Sequence, residues 1–118
     1  SGVNRGNNLA EDVTHSGTIA AAMEGTLCGI PSIAFSQGYA MWEAAAQVSW
    51  HLPAQHAAGL IRDIMGYGLP KLTLMNVNFP GLAPGEQANG IRLATQGRRP
   101  TSKQLEERTD AMQLPYFW

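Results

Sequence analysis

Three asparagines and two hydroxyl side chains stand where this chain could do chemistry. Asn4, Asn7 and Asn8 share the first eight residues with Gly2 and Gly6, and Ser16-Gly17-Thr18 follows them. The side-chain oxygen of Asn4 or Asn8 is a hard, neutral ligand of the kind Mg, Mn or Ca accepts, though it needs carboxylate partners. Asparagine also serves ordinary loops, because it tolerates left-handed backbone and makes local turns. Ser16-Gly17-Thr18 has two readings as well. One is a helix cap worth about 1 kcal/mol. The other is an anion cradle, in which two hydroxyls and free helix-start N–H groups surround a phosphate and Gly17 leaves room for an oxyanion. Its place just after the asparagine loop favours the cradle. Between the two elements, Asp12 is suited to orient the loop, Glu11 to solvent, and His15 to the phosphate or to water.

Those residues need a scaffold, and the hydrophobic pattern outlines one. Residues 1–14 have no apolar periodicity and read as loop. Residues 16–28 read as a helix with Ile19, Ala22, Met23 and Leu27 on its apolar side, capped by Thr14 or Ser16, closed by Gly29 and stopped by Pro31. Residues 32–36 form a short apolar run suited to a buried parallel strand. Residues 41–50 read as helical, and after Pro53 a helical pattern continues through Ala57, Leu60, Ile61, Ile64 and Met65, as one kinked helix or two. Residues 72–79 read as a strand, 81–89 as a Gly/Pro loop and 90–97 as a further strand. Residues 98–113 are too polar to form a core and read as an arm, surface excursion or partner-facing hairpin. Within it Arg98, Arg99, Lys103 and Arg108 are offset by Glu106, Glu107 and Asp110, a solvated mixture. Apolar character returns at Leu114-Pro115-Tyr116-Phe117-Trp118, where a strand is expected to begin. The alternation of helix and strand is the βαβ rhythm of an α/β fold with its first strand absent.

Bulk properties narrow the function classes. With 118 residues, 44% of them hydrophobic and only 14% charged, the chain is long and apolar enough for a core. A net charge of −1 gives no electrostatic case for nucleic acid or an anionic membrane. The single cysteine, Cys28, excludes an internal disulfide, reads as a small buried residue and fits a reduced, cytoplasmic setting. No apolar run is long enough to span a bilayer. His51 and His56 read as structural, and Trp42, Trp50, Tyr116, Phe117 and Trp118 as packing or interface residues.

Taken together, Ser1-Gly2-Val3-Asn4-Arg5-Gly6-Asn7-Asn8-Leu9, Asp12 and His15-Ser16-Gly17-Thr18-Ile19-Ala20-Ala21-Ala22-Met23-Glu24-Gly25 closely resemble the signature of the SurE survival-protein family, metal-dependent 5'-nucleotidases. Gly29 to Ser36, Met75-Asn76-Val77-Asn78-Phe79-Pro80, Gly90-Ile91-Arg92 and Gly97-Arg98-Arg99 extend the likeness over nearly the whole chain. The resemblance implies a three-layer α/β, Rossmann-like fold with a protruding C-terminal hairpin. On this reading residues 1–97 are a partial α/β domain and 98–118 an incomplete arm that joins a homodimer or homotetramer. It also implies removal of phosphate from nucleoside 5'-monophosphates, and in some members from 3'-monophosphates or short polyphosphate. A divalent ion, Mn or Mg, would be held by an Asp-Asp pair, a later Ser and an Asn. Only that Asn matches here, as Asn4, while Asn8, Ser16, Gly17 and Thr18 would line the phosphate. Ala10 departs from the family's usual Gly and narrows the backbone there. The Asp-Asp-Gly end and the tail beyond the hairpin find no match, so the chain is expected to be the central part of a longer protein and inactive alone. The alternative is a non-catalytic anion- or nucleotide-binding α/β domain using the same loop and helix start without metal.

Overall fold

A computed structural model describes residues 1–40, 48–83, 85–99 and 106–117. Three parallel strands form the central sheet in the order β1 (Asn4–Arg5), β2 (Ser32–Gln37), β3 (Leu74–Phe79). A short 3-10 helix (Ala10–His15) and α1 (Gly17–Leu27) connect β1 to β2. The helix α2 (His51–Tyr67) lies between β2 and β3. A separate antiparallel pair, β4 (Glu107–Thr109) and β5 (Pro115–Phe117), falls in the charged C-terminal stretch.

Alternation along β2 and β3 sends successive side chains to opposite faces, and each face has its own cluster. Ala34 packs with Ile19 and Ala22 of α1, joined by Val13 and Leu74. On the other face Phe35 and Phe79 pack with Leu52 of α2, joined by Ile33, Val77, Ala57, Leu60 and Leu82. The Phe35 and Phe79 rings stack at 6.0 Å with 13° between their planes. The sheet is therefore the middle of three layers, as the α/β reading expects.

Local chemistry explains the helix ends. The Ser16 side chain accepts a hydrogen bond from Ile19 N–H and caps α1. At the other end Gly29 takes φ +78°, its N–H donates to Thr26 O, and Ile30 N–H donates to Gly25 O. This is a Schellman closure, which needs the left-handed residue that glycine supplies. Pro53 sits in the first turn of α2, where its missing N–H has no helical partner to lose. The stretch through Pro53 is one continuous helix over His51–Tyr67.

Several expectations are corrected. The first fourteen residues are not all loop, since they hold β1 and the 3-10 helix. No strand forms over 90–97, which stays irregular and exposed. Of the expected helix over 41–50, residues 41–47 lie outside the described residues and 48–50 are irregular. Trp42, Lys103 and Trp118 also lie outside them. Cys28 is exposed, because it is the C-cap of α1 and not part of its packed face. That face runs through Ile19, Ala22 and Thr26, leaving Met23 and Leu27 exposed. Thr26 can be buried there because its hydroxyl donates to Ala22 O at 2.9 Å.

Candidate active site

The polar residues of interest gather at the carboxyl ends of the parallel strands, where open α/β sheets bind ligands. The registers Asn4↔Ser36 and Ser36↔Asn78 set these three residues in one transverse row. That row faces α1, because Ala34 and Leu74, two and four positions back on the same strands, pack in the cluster with α1. Asn76, two residues before Asn78, belongs to the same face. Gly2 brings the start of β1 against β2: its φ is +108°, and a Cβ there would stand 2.3 Å from Phe35 O.

Asn8 is the hub that ties the loop to this row. It is 5% exposed, and its Nδ2 donates to the hydroxyl of the fully buried Ser36 at 2.6 Å. Its backbone N–H donates to Asn78 Oδ1 at 2.9 Å. Its carbonyl accepts from Asn76 Nδ2 at 2.8 Å and Asn78 Nδ2 at 3.2 Å. Asn78 Nδ2 also donates to Asn76 Oδ1 at 3.1 Å. Both the side chain and the backbone of Asn8 are thus tied to the carboxyl ends of β2 and β3. In a low-dielectric setting such a satisfied network is rigid.

The other candidates are more open. Asn4 is half-buried, and its Nδ2 donates to Gly6 O at 3.0 Å, which leaves Oδ1 for a cation. Ser16 is half-buried and occupied as the cap. Helix geometry leaves the N–H groups of Gly17 and Thr18 without i−4 partners. Gly17 is exposed, and a Cβ there would meet nothing within 4 Å. Thr18 is half-buried, and its hydroxyl bonds no other described residue. Two amides and one hydroxyl therefore remain available at the positive end of α1.

Asp12 pairs with the guanidinium of Arg99, and Glu11 accepts from Arg99 N–H at 3.1 Å. Arg99, at the start of the expected arm, thus reaches back to the loop of the site while its side chain stays half exposed. Ser36, Asn76, Asn78 and Arg99 received no site role from the sequence alone. The Asn-x-Asn spacing was the available signal, since an i, i+2 pair in a strand shares a face. Ser36 and Arg99 carry no such local mark. His15, His51 and His56 are exposed. His51 Nδ1 lies 2.8 Å from the Ser49 hydroxyl, on the α2 side.

The donor set can be tested against a divalent ion. Among the described residues, no group of three or more His, Cys, Asp or Glu side chains could hold a metal. Asn4 offers one hard oxygen in a fixed amide, which fits one position of an oxygen-rich site whose carboxylates come from elsewhere.

The family known as Survival protein SurE matches residues 1–103. The chain belongs to the SurE family. Two proteins named 5'-nucleotidase SurE align with all of it: that of Parvibaculum lavamentivorans at 47% identity and that of Methylobacterium nodulans at 50%. The chain covers 42% and 46% of those two proteins, less than half of each. The crystal structure of SurE from Aquifex aeolicus superposes with a TM-score of 0.79 at 36% identity, over the whole of this chain and 45% of that one. The α/β architecture described above is therefore that of a SurE fold. Within it, the stretch from Asn4 to Thr18 that resembled the family signature is the one that wraps the polar row.

Proposed function

We propose that this chain supplies one half of the active site of a divalent-metal-dependent nucleoside 5'-monophosphate phosphohydrolase. The observation that carries the reading is the row Asn4–Ser36–Asn78 on the sheet face that also carries α1. Membership of a family whose relatives bear the name 5'-nucleotidase SurE points the same way.

Each residue has a role in this reading. Asn4 is a ligand to Mn or Mg through Oδ1. Such an ion, when bound, supplies Lewis-acid polarisation of a phosphoryl oxygen. The N–H groups of Gly17 and Thr18 and the Thr18 hydroxyl bind the non-bridging phosphate oxygens, and the α1 dipole favours the charge gathering there. Ser16 holds that helix start in place through its cap. Asn8 lines the phosphate site and, through Ser36, Asn76 and Asn78, keeps the asparagine loop tied to the sheet. In this reading an Asp pair outside this chain supplies carboxylate ligands and either nucleophile or base, and the nucleoside contacts come in part from loops outside it.

The same reading treats residues 1–97 as the α/β unit and 98–118 as an arm that pairs subunits into a homodimer or homotetramer. The exposure of β4 and the tie across its turn, where Asp110 Oδ1 accepts from Met112 and Leu114 N–H, fit a self-supporting hairpin. No helix among the described residues is long and apolar enough to cross a membrane. The free thiol of Cys28 fits a cytoplasmic setting.

The test is phosphate release by the full-length protein from nucleoside 5'- and 3'-monophosphates and short polyphosphate, with Mn or Mg and with a chelator. The reading expects metal-dependent release with 5'-monophosphates preferred. Tight nucleotide binding without release under any metal would overturn it in favour of a non-catalytic binding domain.

A further inference from the structure

Leu9 and the 3-10 helix Ala10–His15 join Asn8 to Ser16, so the position of that helix bears on the geometry between the two halves of the candidate site. Its later half is held locally, by Val13 against the α1 cluster and by the Thr14 hydroxyl donating to Glu11 O, but its first turn lacks such support. The helix has no fully buried residue and no side-chain cap at its N-terminus. It begins at Ala10 with φ +50°, a left-handed conformation that is unfavourable for a residue with a Cβ. Short 3-10 helices are weak elements with poor hydrogen-bond geometry.

The ties on its first turn come from a segment more than eighty residues later in the chain. Gln96 Nε2 donates to Ala10 O at 3.1 Å. Arg99 N–H donates to Glu11 Oε2 at 3.1 Å. The Arg99 guanidinium pairs with the Asp12 carboxylate. Three consecutive residues of the first turn are thus bound by one stretch of four.

We propose that Arg99 is a positioning residue for the phosphate site, the anchor of a strap over 96–99 that holds the first turn of the 3-10 helix and with it the geometry from Asn8 to the α1 cap. The inference rests on the phosphohydrolase reading above. Arg99 touches no reacting atom in this account. It acts on Asp12 and Glu11, and they act on the helix start. The pair is exposed on both sides, at 52% for Arg99 and 42% for Asp12, so its contribution to global stability is small. Its effect falls on local geometry, where a displacement of 1 Å can reduce a rate about 100-fold.

The experiment uses the full-length protein and reads phosphate release together with amide hydrogen exchange over residues 10–18. Arg99→Ala and Asp12→Ala should each lower kcat/KM roughly tenfold and speed exchange in that segment, with the melting temperature nearly unchanged. The double variant should lose no more than either single one, since both remove the same link. Arg99→Lys should recover most of the activity by keeping the charge opposite Asp12. Arg62→Ala, on the exposed face of α2, is the control and should match the parent. Single variants within twofold of the parent, additive losses in the double variant, or unchanged exchange over 10–18 would overturn the strap. If Arg99→Ala fails to fold, Gln96→Ala carries the exchange test, with faster exchange at 10–12 expected and unchanged exchange against the proposal. A parent protein that releases no phosphate under any metal is a different result: it removes the phosphohydrolase reading, while exchange still judges the strap.

Discussion

Replacing Asn8 and Ser36 singly and together tests whether the site rests on a buried polar hub. Asn8 Nδ2 and the Ser36 hydroxyl meet at 2.6 Å, with Asn8 5% exposed and Ser36 fully buried. Asn8→Ala leaves the Ser36 hydroxyl buried without this donor, and Ser36→Ala leaves the Asn8 amide without this acceptor. A buried polar group stripped of its partner costs about 1–3 kcal/mol. Taking about 2 kcal/mol for each single change, the melting temperature should fall by about 4–8 °C in a full-length protein of the relatives' size. The backbone bonds of Asn8 to Asn76 and Asn78 survive both substitutions, so the fold should persist. In the double variant neither group is left stranded. Its loss should therefore be smaller than the two single losses combined, by roughly 1 kcal/mol or more. Thermal unfolding followed by circular dichroism, at one protein concentration and without metal or nucleotide, supplies all four values. Additivity to within about 0.5 kcal/mol would refute the argument, because distant, independent sites behave that way.

Other substitutions probe separate parts of the account. Ala10→Gly should raise stability by about 0.5 kcal/mol, because relief at φ +50° outweighs the added entropy of the unfolded chain; a fall in melting temperature would contradict this. Phe35→Ala should cost about 3–5 kcal/mol by opening the cluster with Phe79 and Leu52, and a loss under 1 kcal/mol in denaturant unfolding would show that α2 does not depend on that face. Deleting residues 98–118 from the full-length protein should reduce its oligomeric state in sedimentation, whereas an unchanged assembly would exclude the arm as the subunit contact.

The elements most legible in the sequence were those with a local signature. α1 combines a small-residue run, a Ser cap and a Gly close, and it forms over Gly17–Leu27 with both ends as expected. The strands β2 and β3 are short apolar runs between Pro or Gly stops, and the helix after Pro53 has a continuous apolar pattern. The misses share a tertiary cause. β1 is two residues long and exists only because Asn4 and Arg5 find register with Ser36 and Gln37. Residues 90–97 have the composition of a strand, yet Ile91 and Leu93 remain exposed. Met23 and Leu27 looked like core by spacing, but the small Thr26 lets α1 approach the sheet on a different stripe. In the site, residue types identified Asn4, Asn8 and Ser16 to Thr18 as candidates. Nothing local could show that the Asn8 amide would turn inward to Ser36, or that Arg99 would reach back to Asp12.

The most direct test of the account is the Mn dependence of phosphate release by the full-length protein and its Asn4→Ala variant. If Asn4 Oδ1 is a metal ligand, the variant should need at least tenfold more Mn for half-maximal activity, roughly 1.4 kcal/mol of lost affinity, and should bind Mn correspondingly more weakly in a direct titration. Identical Mn curves and identical turnover for the two proteins would contradict the claim that the row Asn4–Ser36–Asn78 carries the metal half of the site.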